Sequence, residues 1–170
     1  MDTALLLLRC VVGLYVAAHG ARFLFGWFGG LGLSGTQAFM GSRLGFRPAW
    51  LWAFGLGLAE FGGGVLTALG LLGPIGPIGV AAAMLTATIA VHWAKGPWGT
   101  QGGYEQTLTN LAVALSLAAA GAGAYSLDAL LGIAVPLSVS ETIGAITLLA
   151  VIVALVTRQA PAAQPQPQAA

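Results

Sequence analysis

Long apolar runs, separated by short polar or glycine-rich breaks, dominate the chain. A membrane-spanning helix needs about 20 mostly apolar residues, at a rise of about 1.5 Å per residue. The pattern therefore predicts an all-α, polytopic membrane helix bundle, with four core transmembrane helices and a fifth one at the C-terminal end. The five expected spans cover residues 4–24, 48–72, 75–94, 104–122 and 139–156.

Glycine and proline residues mark the breaks between these spans. The motif Gly73-Pro74-Ile75-Gly76-Pro77 predicts a tight turn between the second and third spans. The connection over residues 25–49 is long, and we expect a short interfacial helix over residues 36–44. The glycine-rich start of this connection leaves a second interpretation open, a lid over a cavity. Small residues in the second span predict that it is the central packing helix; these are Gly55, Gly57, Gly62, Gly63, Gly64 and Ala68.

The pattern also predicts how the chain is divided. Residues 1–132 would form the four-helix membrane domain, and residues 133–158 would contain the additional transmembrane helix. Residues 159–170 are rich in Ala, Pro and Gln and cannot bury a core, so we expect a disordered tail there.

Composition narrows the class of protein. Of the 170 residues, 58% are hydrophobic and 6% are charged, whereas a typical soluble domain is about 25% charged. These values argue against a soluble or disordered chain, and the net charge of +1 argues against a nucleic-acid binder. The single cysteine, Cys10, rules out an intrachain disulfide, a CxxC redox pair and a thiolate zinc site.

Basic residues mark one face of the expected bundle. Five passages put the two ends of the chain on opposite sides, so the connections after spans one and three share a face with the C-terminal end. By the positive-inside rule this face is cytoplasmic and the N-terminal end lies outside. The basic residues are Arg22, Arg43, Arg47, Lys95 and Arg158.

Arg9 and Glu60 lie inside the apolar spans, where a charged side chain is costly and usually functional. Glu60 lies about 18 Å along the second span, near the membrane midplane. It is therefore either protonated or paired with a cation such as Arg9 or His19. A structural Arg9–Glu60 ion pair and a proton-handling or ligand-binding Glu60 remain as alternatives.

A second polar group gathers near the Arg-rich face. Span parity brings His19, His92, Tyr104 and Glu105 to one membrane depth, with Asn110 about two turns deeper. Histidine, tyrosine and carboxylate groups beside aromatic residues suit hydrogen bonding and proton delivery to a ring carbonyl, as a quinone site requires. A structural hydrogen-bonded network between helices is the alternative. Haem between the two histidines is disfavoured, because both lie at an interface and no covalent attachment motif exists. The spacing of candidate ligands predicts no metal site.

An ordered set of short motifs resembles the DoxX family over roughly residues 4–132. The set comprises 19–30, Gly32-Leu33, Gly35-Thr36, Phe39, 57–60, Gly63-Gly64, Met84, His92, 102–105, Leu108 and 121–128.

This resemblance implies a small, multi-pass protein of a bacterial or archaeal cell membrane, usually with four spans. The family is named after a subunit associated with a membrane thiosulfate–quinone oxidoreductase, so quinone is the implied cofactor. The resemblance does not establish that this chain is itself an enzyme. His19, Glu60, His92, Tyr104 and Glu105 fall on the polar motif positions of the family, and Arg22 replaces an expected lysine.

Three functional hypotheses follow. The first is a membrane subunit that binds quinone or another apolar ligand between its helices and supports electron transfer. The second is a non-catalytic anchor for soluble redox enzymes, with the bilayer and such an enzyme, or a second copy of the chain, as partners. The third is a small transporter coupled to proton movement at Glu60, which the lack of an evident inverted repeat disfavours.

Overall fold

The computed structural model describes residues 1–159, and these residues fold into helices joined by short connections. The predicted all-α class is confirmed. The seven α-helices within this range are α1 (Asp2–Phe25), α2 (Gly32–Ser42), α3 (Ala49–Leu69), α4 (Ile75–Ala87), α5 (Glu105–Ala120), α6 (Leu127–Leu131) and α7 (Leu137–Val156). The predicted tail lies outside the described residues, apart from Gln159.

Four of these helices are long and apolar enough to cross a membrane. They are α1, α3, α7 and the segment Ile75–Lys95, in which α4 continues through a π turn (Thr88–His92) and a 3-10 turn (Trp93–Lys95). The chain is therefore a multi-pass membrane protein.

The helix in the predicted fourth span is shorter than expected. α5 has 16 residues, about 24 Å of helix, against about 30 Å for a hydrocarbon core. It ends at Gly121, whose backbone has φ 79° and ψ −178°. Its first turn is polar, with Glu105, Gln106 and Thr107. α5 nevertheless carries the chain from one end of the bundle to the other. Before it, Tyr104 N donates to the carbonyl of Gly96, just after the α4 segment, and after it Ala124 N donates to the carboxylate of Asp2, at the start of α1.

Glycines set the contact between α1 and α3, which run antiparallel. A Cβ atom built on Gly20 would lie 2.3 Å from the backbone N of Phe61, and one built on Gly64 would lie 2.5 Å from the backbone N of Ala17. The two backbones therefore touch directly, as small residues permit in membrane helices. α3 also packs against α2 and α4, which agrees with the central position predicted from its glycines.

α7 packs against α4, and its C-terminal end reaches the connection between α2 and α3. The backbone N–H of Gln159 donates to the carbonyl of Gly45 at 2.9 Å. The guanidinium of Arg158 lies 5.7 Å from the centre of the Phe46 ring, and its Nη1 lies 3.5 Å from the carbonyl oxygen of Ala90. The C-terminal end thus lies at the same end of the bundle as the α2–α3 connection and the end of α4, which is the grouping that the sequence predicted.

A hydrogen-bonded network holds the opposite end together. Arg9 is 3% exposed and donates to the carbonyls of Ala122, at 2.9 Å, and Tyr125. Asp128 accepts from the backbone N–H groups of Leu72, at 2.9 Å, and Gly73, at 2.5 Å. The carboxylate and the guanidinium therefore satisfy backbone groups at helix ends, where partners are otherwise missing.

The suggested Arg9–Glu60 pair is not formed. The register of α1 against α3 sets Gly20 beside Phe61, so the Arg9 guanidinium reaches Gly70 at the far end of α3. Ten residues of helix, about 15 Å, separate Gly70 from Glu60.

A short helix was expected over residues 36–44, and the structure contains α2, which begins at Gly32 and ends at Ser42. It packs against α1 and α3. Thr36 is 1% exposed, and its hydroxyl donates to the carbonyl of Phe23 at 3.2 Å. α2 is therefore part of the bundle wall as well as a connecting helix.

Candidate functional site

A cavity of about 540 Å³ lies between α1, α2, α3, α4 and α5. Apolar side chains such as Val16, Leu56 and Met84 form much of its wall. Its polar lining residues are Tyr15, His19, Thr36, Glu60, Thr86, His92, Glu105, Gln106, Thr107 and Asn110. Five predicted site residues, from four different spans, therefore meet at one cavity: His19, Glu60, His92, Glu105 and Asn110.

His19 and Glu60 form the best-defined polar contact of this cavity. His19 Nδ1 lies 2.9 Å from Glu60 Oε2. Glu60 is 1% exposed, whereas the His19 side chain is 43% exposed. The Phe23 ring packs edge-on against the imidazole, with the two ring centres 4.8 Å apart, and restricts the orientation of the imidazole. The buried carboxylate is thus joined to a more accessible imidazole, and one proton can sit on either partner.

The local fold explains why these two side chains meet. Gly20 lets α1 approach the backbone of α3 at Glu60 and Phe61. His19, its neighbour in the chain, consequently lies at the level of Glu60. A larger residue at position 20 would move α1 away from α3, so the contact depends on a glycine that carries no chemistry itself.

His92 reaches the same cavity from the π turn at the end of α4. Its Nδ1 lies 2.6 Å from the carbonyl oxygen of Gly102, which can only accept, so Nδ1 is the donor. In the neutral ring Nε2 is then the acceptor. A π turn shifts the residues after it relative to the α-helical register, and such turns are frequent at functional sites.

A folded loop sets the start of α5 against this turn. Tyr104 N donates to the carbonyl of Gly96 at 3.1 Å, and Glu105 N donates to that of Pro97 at 2.9 Å. Glu105 therefore begins α5 at the edge of the cavity. Asn110, further along α5, also lines the cavity.

The structure does not bring every predicted residue to the cavity. The Tyr104 ring stacks on Trp93, with centroids 5.1 Å apart, and is not part of the lining. Arg22 is exposed on α1 and does not line the cavity. His19 and His92 both line it, but each is hydrogen-bonded to another group, Glu60 and Gly102 respectively.

Several lining residues were not predicted. Gln106 donates from its amide to the hydroxyl of Tyr15, which joins α5 to α1 at the cavity. Thr107 accepts a hydrogen bond from Thr88 at 2.8 Å. Tyr15 lies one turn before His19, and this spacing places both side chains on one face of α1. That spacing was the available signal, whereas nothing in the sequence pairs residues 15 and 106.

Metal binding has no support from the described residues. Within 1–159, no group of three or more His, Cys, Asp or Glu side chains is placed to hold a metal ion.

Comparison with known proteins gives one result. No curated protein and no solved structure matches the chain. The family model DoxX matches residues 4–93, which extend from the first turn of α1 to Trp93, directly after the π turn. This segment contains His19, Glu60 and His92, whereas Glu105 and Asn110 lie after it. Because the match covers just over half of the chain, the protein belongs to the DoxX family.

Proposed function

We propose that the protein is a redox-associated membrane subunit that binds a quinone in the large cavity enclosed by α1, α2, α3, α4 and α5. The observation that carries this proposal is the His19–Glu60 pair on the wall of an apolar cavity inside the bundle. A volume of about 540 Å³ lies within the range of about 300–1,000 Å³ found for small-molecule sites.

The polar side chains of the cavity are of the types that hydrogen-bond the two carbonyls of a quinone ring. His19, held at Nδ1 by Glu60, has Nε2 left to donate to a ring oxygen when the pair carries its proton. Reduction of a quinone to a quinol consumes two electrons and two protons. We propose that the His19–Glu60 pair delivers one proton to a ring oxygen and that Glu105, at the cavity edge, relays the other from water. The electrons come from a partner redox protein, because the polar groups named here transfer only protons.

Orientation forms part of the proposal. We place the N-terminal end outside a bacterial or archaeal cell membrane and the C-terminal end in the cytoplasm, following the positive-inside rule. The redox partner then docks from the cytoplasm, on the face that carries the basic residues of the connections. Labelling of Asp2→Cys and Arg158→Cys in a Cys10→Ser background with an impermeant maleimide tests this, since intact cells should label only residue 2.

Binding of a quinone probe tests the main proposal. The chain is reconstituted in lipid nanodiscs, and the affinity of a tail-less dimethoxy-methyl-benzoquinone is measured by calorimetry. Glu60→Gln and His19→Gln should raise its Kd about 10- to 100-fold, as expected for a buried hydrogen bond worth about 1.5–3 kcal/mol. Glu141→Gln is the matched control, because Glu141 is exposed on α7 and does not line the cavity.

A cavity-filling pair checks the location of the site. Ala87 lines the cavity, whereas Ala112 is exposed on α5 and does not. Ala87→Phe should abolish binding, and Ala112→Phe should retain it. Equal affinity in all cavity variants would overturn the assignment, and absence of binding by the native chain would leave the anchoring role as the better hypothesis.

A further inference from the structure

A second, smaller cavity adjoins the first. It measures about 160 Å³ and lies between α3, α4 and α7. Four residues line both cavities: Met40, Phe46, Leu56 and Thr86. The two spaces are therefore separated by a single layer of side chains or joined through it, and a ligand in one lies next to the other.

The lining of this second cavity, called the groove below, is mostly apolar, with Thr86 and Thr147 as its hydroxyl side chains. α4 contributes Ala82 and Ala83, and α7 contributes Ala150, Val151 and Ala154. α7 packs mainly against α4, so an opening remains between α7 and α3. Between membrane-spanning helices such an opening faces hydrocarbon, and an apolar chain fills the space without loss of hydrogen bonds.

The position of Gly55 on α3 also indicates that the groove is kept open. Glycine inside a helix costs about 0.5–1 kcal/mol relative to alanine, and most α3 glycines are explained by close packing. A Cβ on Gly57 would lie 2.5 Å from Leu24, and one on Gly63 would lie 3.0 Å from the carbonyl of Gly76. A Cβ on Gly55 would meet no heavy atom within 4 Å. Gly55 lines the groove, so its missing side chain keeps space open there.

We infer that the groove between α3, α4 and α7 holds the apolar tail of the quinone whose ring occupies the large cavity. This inference rests on the proposed function and specifies the ligand as a ring compound with a long isoprenoid or alkyl tail. The ring would lie beside His19 and Glu60, and the tail would pass the shared wall at Leu56 and leave along α7 towards the lipid. It also gives α7, which lies beyond the segment shared with the family, a part in ligand selection.

The test compares two probes that share one ring. The tail-less benzoquinone and its decyl analogue are titrated against the native chain and variants in nanodiscs of one lipid composition, so partitioning into lipid is the same for every variant. In the native chain the decyl compound should bind at least tenfold more tightly. In Gly55→Leu the ratio of the Kd of the tail-less probe to the Kd of the decyl probe should fall to less than threefold. The Kd of the tail-less probe itself should change less than twofold.

Matched controls separate a filled groove from a general disturbance of α3. Gly62→Leu places the same side chain on α3 away from the groove, where a Cβ would meet only Leu58 of its own helix, at 3.4 Å. On α7, Ala150→Phe fills the groove, and Ala145→Phe does not. Both groove variants should lose the tail advantage, and both controls should keep it.

The possible failures are distinguishable. If both groove variants retain the native ratio of the two Kd values, or weaken the binding of both probes equally, the tail lies elsewhere and a lipid acyl chain occupies the groove. The proposed quinone site in the large cavity would still stand. If the native chain binds neither probe, the proposed function itself is overturned, and the inference falls with it.

Discussion

The contact between α1 and α3 supports a quantitative prediction for Gly64→Ala. A Cβ at position 64 would lie 2.5 Å from the backbone N of Ala17 and 2.6 Å from the carbonyl oxygen of Gly13. Ordinary van der Waals contact begins at 3.4 Å. The helices must therefore separate by about 1 Å at this point, because neither neighbour is a flexible side-chain end, and such overpacking costs about 1–3 kcal/mol.

Gly62→Ala isolates this cost. Both substitutions lie on α3 and gain the same helix propensity, about 0.5–1 kcal/mol, but the Cβ at position 62 meets only Leu58, at 3.4 Å. The difference in free energy of unfolding between the two variants is thus the overpacking cost itself, about 1–3 kcal/mol. Gly62→Ala should be at least as stable as the native chain, and Gly64→Ala should be less stable.

The assay is reversible unfolding in mixed micelles of a mild detergent and dodecyl sulfate, followed by tryptophan fluorescence. Free energies are compared at the midpoint of the native chain, which avoids a long extrapolation. Stabilities of Gly64→Ala and Gly62→Ala that agree within about 0.5 kcal/mol, the usual limit of additivity, would refute the direct backbone contact. Loss of stability should also weaken quinone binding, because the same contact aligns His19 with Glu60.

Three further predictions concern side chains outside the cavity. Arg9→Leu should lower the free energy of unfolding by about 1.5–3 kcal/mol, because it leaves two backbone carbonyls without their charged donor. The same micelle titration measures this loss, and a changed Kd for the tail-less quinone would contradict the purely structural role of Arg9. Asp128→Asn should accelerate amide exchange at Leu72, since a neutral amide oxygen is a weaker acceptor than a carboxylate; exchange at the native rate would show that the charge is dispensable. Arg158→Gln should remove a cation–π contact with Phe46 worth about 0.5–1 kcal/mol and raise hydrogen exchange at the end of α7; unchanged exchange there would contradict it.

The polar residues show which features of the site can be predicted from the sequence and which cannot. Glu60 stands out because a carboxylate in the middle of an apolar span is either protonated or paired with a cation. The sequence offers Arg9 and His19 as partners. The choice between them is a matter of helix register. Gly20 and Gly64 fix that register through backbone contacts, and a packing preference for small residues does not state which glycine faces which neighbour.

The same limit applies to the rest of the site. Span parity placed both histidines, Tyr104 and Glu105 at one depth, but it carries no information on lateral position. His92 turns into the cavity through a π turn, whereas Tyr104 stacks on Trp93 outside it. A one-residue shift in helical register moves a side chain by about 100° around the axis, so small local irregularities decide which residues meet.

Apolar run length and the scarcity of charge determined the membrane class, the all-α fold and the short list of polar residues, because these depend only on local composition and the thickness of a bilayer. The tertiary structure alone decided that Glu60 pairs with His19, that Arg9 supports the opposite end of the bundle, and that α7 leaves a groove beside Gly55. These features arise from contacts between residues more than 40 positions apart, and such contacts are set by helix packing, which no local pattern specifies.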